Sequence, residues 1–140
     1  MSEKKVYIIP CSGIGKVFGS ICRKAAYIAV NELAKDKTTL ECLPLIVKGK
    51  KEVIEALKEN KVIALDGCPL KCSYNDLMKA VGKVDTHFLT TDIVKENRDL
   101  KPEPSIIPVG ENTKQLSIKL AEKLAAEVDK LLEENMERDD

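Results

Sequence analysis

The sequence predicts an α/β fold: a three-layer α/β/α sandwich, flavodoxin- or Rossmann-like, around a parallel sheet of four to five strands. Three observations lead there. Short apolar runs with β-branched residues recur at Val6–Ile9, Thr38–Leu43, Val62–Leu65 and Val84–Leu89. Such runs suit strands buried on both faces. Between them, apolar residues recur at three- and four-residue steps, the period of a buried helix face. The connections are also long enough to hold the helices that parallel strands need. Right-handed crossovers then favour the strand order 2-1-3-4-5.

Each element has its own signal. Val6–Ile9 is bounded by Pro10 and followed by a loop with two glycines, Gly13 and Gly15. Val17, Ile21, Ala25, Ile28 and Ala29 mark a helix running to about Lys35. Thr38–Leu43 reads as the second strand, ended by Pro44, and a helix over about Lys50 to Glu59 turns Val53, Ile54 and Leu57 inward. Val62–Leu65 is the third strand, followed by a helix from about Lys71 to Val81. After the fourth strand, Thr90-Thr91-Asp92 caps a short helical turn toward Arg98. Ile106–Val109 reads as a fifth strand, confined to an edge by Pro108. Asn112 or Thr113 caps a last helix with a stripe of Leu116, Leu120, Leu124, Val128 and Leu131. That stripe is ordinary core, too short for sustained heptads.

Length and composition narrow the class of function. The 140 residues suit a single domain, ordered over about residues 4–133 with a charged C-terminal tail. With 44% hydrophobic and 33% charged residues, the chain is globular. A formal net charge of zero, no basic stripe and few aromatics argue against nucleic acid as a partner. No apolar run is long enough to span a bilayer, so no membrane partner is expected. Met1–Lys5 leads straight into a strand-like run without the apolar region of a secretory signal. A cytoplasmic location is the resulting expectation. Five cysteines in such a compartment point to metal binding or thiol chemistry before disulfides.

The cysteines converge if the fold is right. Cys11 lies just past strand one, Cys42 at the end of strand two, and Cys68 and Cys72 where strand three turns into a helix. In a parallel sheet those strand ends share one edge, the edge where this fold class binds ligands. Neighbouring strands are about 4.8 Å apart, so thiols remote in sequence become neighbours in space. Four thiolates saturate tetrahedral zinc, and helix N-termini, with Lys16 and Lys71, offset part of their charge. Cys22 falls inside the first helix beside the apolar face and reads as an inert core thiol.

Pro10–Lys16, Arg23–Tyr27, Cys42-Leu43-Pro44 and Asp66–Cys72 together resemble the DGC-domain family, named for its central Asp-Gly-Cys. The resemblance covers about Tyr7 to Leu89. The family is described as zinc-binding on the strength of four cysteines. The resemblance therefore implies one DGC-type domain with Cys11, Cys42, Cys68 and Cys72 as metal ligands.

Other chemistry competes for the same residues. An iron–sulfur cluster also fits four thiolates. A cysteine-dependent enzyme would use Cys11 as nucleophile in a glycine-bearing loop similar to that of low-molecular-weight phosphotyrosine phosphatases or cysteine-bearing sugar-phosphotransferase subunits. Lys16 stands in place of the phosphatase arginine, which loses bidentate phosphate binding. Thiol–disulfide exchange would have Cys11 attack and Cys68 or Cys72 resolve. His87, the sole histidine, reads as a packed or surface residue inside strand four. Asp66 reads as a turn or helix cap, or as a carboxylate accepting loop amides beside the thiolates. Asp92 reads as an N-cap.

Overall fold

Apolar strand residues that point both ways need a cover on each side, and the chain supplies one. The structure, a computed structural model, describes residues 5–11, 17–41, 43–67, 71–103 and 110–139. Among these residues the sheet has four parallel strands, β1 (Val6–Pro10), β2 (Thr38–Leu40), β3 (Lys61–Asp66) and β4 (Thr86–Leu89). Their order is β2-β1-β3-β4. The expected α/β class and the 2-1-3-4 order are both present; the strand expected at Ile106–Val109 lies outside the described residues.

Alternation along the strands sends side chains to two cores. Ile8, Ile63 and Leu65 face one layer, made by α1 (Val17–Ile28), α5 (Thr90–Glu96) and α6 (Glu111–Asp139). Ile9, Val62 and Ala64 face the other, made by α2 (Leu43–Lys48), α3 (Lys51–Glu59) and α4 (Cys72–Ala80). All six residues of β3 are buried, as a central strand covered on both faces must be. α1 passes into a π-helical stretch, Ala29–Leu33, closed by the Ala34 amide on Ala29 O at 2.7 Å.

Several boundaries differ from the sequence expectation; β4 begins at Thr86 rather than Val84, and α6 at Glu111, which puts Asn112 and Thr113 inside it. The run at Thr38–Leu43 does not continue as a strand: β2 stops at Leu40, and Leu43–Lys48 is helical. Pro44 occupies the first turn of that helix, where a missing N–H costs nothing, so it starts a helix rather than ending a strand. At the other end, α6 runs for 29 residues to Asp139, through the expected charged tail. Its cap is also remote: the Asn112 amide donates to Glu103 Oε1 at 2.8 Å.

The amino edge of the sheet is closed by charge. Lys61, 5% exposed at the start of β3, lies 3.8 Å from both Asp85 and Glu134. The carboxyl edge, by contrast, carries Cys11 and Cys72.

The stripe of α6 expected from sequence is the buried one: Leu116, Leu120, Leu124, Val128 and Leu131 all pack into the first core. Leu120→Ala is expected to lower stability by about 2–5 kcal/mol. Denaturant titration of the two proteins measures it, with an unchanged slope expected.

Candidate functional site

β1, β3 and β4 finish in step. Pro10 is registered with Leu65, and Asp66 with Leu89. The next residue of β1, Cys11, extends the ladder by donating its amide to Leu65 O at 2.8 Å. Cys11, Asp66-Gly67 and Thr90 therefore come level at one edge, each at or just past the end of its own strand.

Gly67 is what lets them meet. A Cβ on this residue would lie 2.9 Å from Gly19 N and 3.0 Å from the Phe18 carbonyl carbon. Those are backbone atoms of α1 and have no rotamer by which to move aside. Glycine alone allows the loop after β3 to press against α1 so closely. In that position the Gly67 amide donates to Cys11 Sγ at 3.3 Å. The bond joins the loop after β1 to the loop that continues into Cys68.

Cys22 completes the group. It is fully buried in α1 and hydrogen-bonded to Cys11 through the side chains. On its other side it lies 2.9 Å from Thr90 Oγ1, at the start of α5. The hydrogen bond to Cys11 is the first cause pushing the Cys22 thiol far above the ordinary thiol range; burial and the charge of Cys11 add to it, while Thr90 opposes it. Cys22 therefore stays protonated beside Cys11. The Gly67 amide and the Cys22 thiol thus both engage the Cys11 sulfur. The expectation of an inert apolar thiol is right about the burial of Cys22 and incomplete about its partners.

A second polar group sits on the opposite face of the sheet. Asp66 accepts the amides of Ser73 and Tyr74, at 2.7 and 3.1 Å, on its two carboxylate oxygens. These are the second and third residues of α4, whose own N-cap position, Lys71, makes no side-chain cap. Asp66 thus caps the helix from outside it. Lys71 adopts a left-handed backbone at φ 54°, a conformation that costs a non-glycine residue roughly 1–2 kcal/mol. It turns the chain sharply enough to aim the first amides of α4 at Asp66. His87 Nε2 lies 2.8 Å from Asp66 Oδ2, and its ring tilts against Tyr74 with centroids 5.1 Å apart. Ser73 Oγ donates to Ile9 O at 2.8 Å, tying the start of α4 to β1. Cys72, exposed as the first residue of α4, stands at the same edge as Cys11.

Of the expected metal ligands, Cys11 and Cys72 are placed at the carboxyl edge, and Cys42 and Cys68 lie outside the described residues. Among the described residues, no group of three or more His, Cys, Asp or Glu is disposed to hold a metal ion. The glycine-bearing loop expected to cradle an oxyanion, with Lys16, also lies outside them. Asp92 is exposed inside the first turn of α5 and is not its N-cap, a position held by Leu89 with no side-chain cap. Among the described residues, no helix is long and apolar enough to cross a membrane.

Gly67→Ala is expected to destabilise the protein by about 1–3 kcal/mol, the cost of overpacking against immobile neighbours. It should also speed alkylation of Cys11 by a maleimide in the native state. Thermal melts and timed labelling followed by peptide mapping read the two effects.

Comparison with known families matches the DGC domain over residues 7–109. Neither curated proteins nor solved structures give a match. The match spans both strand ends that meet at Gly67 and takes in all five cysteines. This chain belongs to the DGC domain family.

Proposed function

We propose that the carboxyl-edge thiols bind zinc, with Cys11, Cys42, Cys68 and Cys72 as the donor set. The observation that carries this reading is the bond from the Gly67 amide to Cys11 Sγ, since it draws the loop bearing Cys68 onto the end of β1. Cys72 is held to the same edge by the neighbouring Ser73–Ile9 hydrogen bond. The donor chemistry fits at both described positions. The Gly67 amide donates to Cys11 Sγ, a contact a metal-bound sulfur can keep, and Cys72 begins a helix, where the dipole favours negative charge.

Zinc held by four thiolates is saturated, so its contribution is structural or that of a bound cargo rather than activation of water. The chain's own residues set the conditions. Gly67 fixes the spacing between loops, Cys22 keeps a neutral donor against Cys11, and Asp66 holds the start of α4. His87 supports Asp66 from the side.

Protein purified without oxygen is expected to contain about one zinc per chain by elemental analysis, with no visible iron–sulfur absorption. Cys11→Ser and Cys72→Ser should each reduce the zinc content, and chelation should lower Tm, because metal binding adds to folding stability. Zinc-free protein that cannot be loaded, or a Tm indifferent to chelation, would count against the reading. A visible iron–sulfur spectrum would replace zinc with a cluster.

A further inference from the structure

We propose that the outer face of α1, with the π-helical stretch that follows it, binds a ring-bearing phosphate monoester through Arg23, Lys24 and Tyr27, at a site separate from the thiols.

These three residues take no part in the carboxyl edge. They lie on the side of α1 away from the buried Ile21, Cys22, Ala25 and Ala26. With Ser20, Asn31 and Glu32 they line a cleft of about 560 Å³. That volume suits a small molecule.

Arg23 supplies the anion end. Its Nη2 donates to Ser20 Oγ at 3.3 Å, whereas its buried Nη1 has no hydrogen-bond partner. Among the described residues neither Arg23 nor Lys24 is in an ion pair. A charged N–H buried without a partner is costly. Turning the planar guanidinium toward the cleft, to take a phosphate bidentately, relieves that cost. Lys24 adds a second positive charge beside it. Two charges match a phosphate monoester, with about 1.5 to 2 negative charges at neutral pH, better than a carboxylate.

The rest of the cleft fits the organic part. Tyr27, 56% exposed, stands one helical turn beyond the two cations. A flat ring covers such an aromatic by stacking on it. Asn31 and Glu32 follow after another turn and supply an amide and a carboxylate for amino and carbonyl groups on that ring. Lys24 and Asn31 are roughly 10 Å apart along the helix axis. A nucleoside monophosphate has a comparable length from its phosphorus to the far edge of its base, and is the probe of choice.

Isotope-labelled protein, as purified, is titrated with adenosine monophosphate, ribose 5-phosphate and adenosine, and its amide shifts are followed by NMR. Adenosine monophosphate should give saturable shifts at Ser20, Lys24, Tyr27 and Asn31. Its Kd should lie about fivefold or more below that of ribose 5-phosphate, which has no ring to stack. Arg23→Gln should weaken adenosine monophosphate by about tenfold or more, and Arg23→Lys should restore little of it, since lysine does not bind bidentately. Adenosine, without the phosphate, should bind wild type and Arg23→Gln alike. Tyr27→Ala, at an exposed position, keeps the test open where an Arg23 variant fails to fold: it should abolish the advantage of adenosine monophosphate over ribose 5-phosphate. Shifts confined to the carboxyl edge around Cys11 would overturn the proposal. So would the absence of saturable shifts at millimolar adenosine monophosphate, or equal affinity in wild type and Arg23→Gln. The readout is at α1 and not at the thiols, so it is decided separately from zinc content.

Discussion

The carboxyl edge of this protein is organised by a steric allowance one methyl group wide. Gly67 has no Cβ, and a Cβ would stand 2.9 Å from the backbone of Gly19. Because nothing stands there, the loop after β3 lies directly on α1 and its amide reaches Cys11 Sγ. Any larger residue would hold the loop away by some tenths of an ångström or more. It would lengthen a bond already at 3.3 Å and separate the strand ends that carry the thiols. Two residues of the Asp-Gly-Cys motif can be read physically from this point: the aspartate caps a helix, and the glycine permits contact.

Strand alternation divides the chemistry of that edge between two layers. β3 sends Leu65 toward α1 and α6, and Asp66 engages α4 on the other side. The thiol pair Cys11 and Cys22, with Thr90, belongs to the α1 layer; Asp66, His87 and the start of α4 belong to the other. Gly67 and Cys11 are where the layers communicate. The carboxylate contributes to the thiols in two ways. It fixes the start of α4, and its negative charge weakly opposes ionisation of Cys22. A buried aspartate, 1% exposed, is satisfied here by two helix amides and an imidazole, so its burial needs no full salt bridge.

Much of this architecture is legible in the sequence because period and burial are local signals. Val62–Leu65 declares a central strand by being apolar without alternation, and Leu116, Leu120 and Leu124 declare a buried face by their spacing. The placement of Cys11 past one strand and Cys72 at the start of a helix follows from those elements alone. Features set by remote partners are not legible in this way. Helical spacing puts Cys22 beside an apolar face but cannot say that Cys11 and Thr90 approach it from two other elements. Glu103 caps α6 from nine residues before Asn112, so a search for a cap near the helix start finds the wrong residue. Pro44 carries opposite meanings at a strand end and in a first helical turn, and only the packing of Ile46 into the second core decides between them. Asp66 offered a usable clue: a carboxylate a few residues before a helix whose own N-cap is lysine.

The contact between Gly67 and Cys11 is open to direct measurement. Amide hydrogen exchange, resolved by residue with NMR, should show Gly67 protected in the reduced wild-type protein. In Cys11→Ala that protection should fall while the amides of β1 and β3 keep theirs. Rapid exchange of Gly67 in the wild type, or protection that survives loss of the sulfur, would contradict the account.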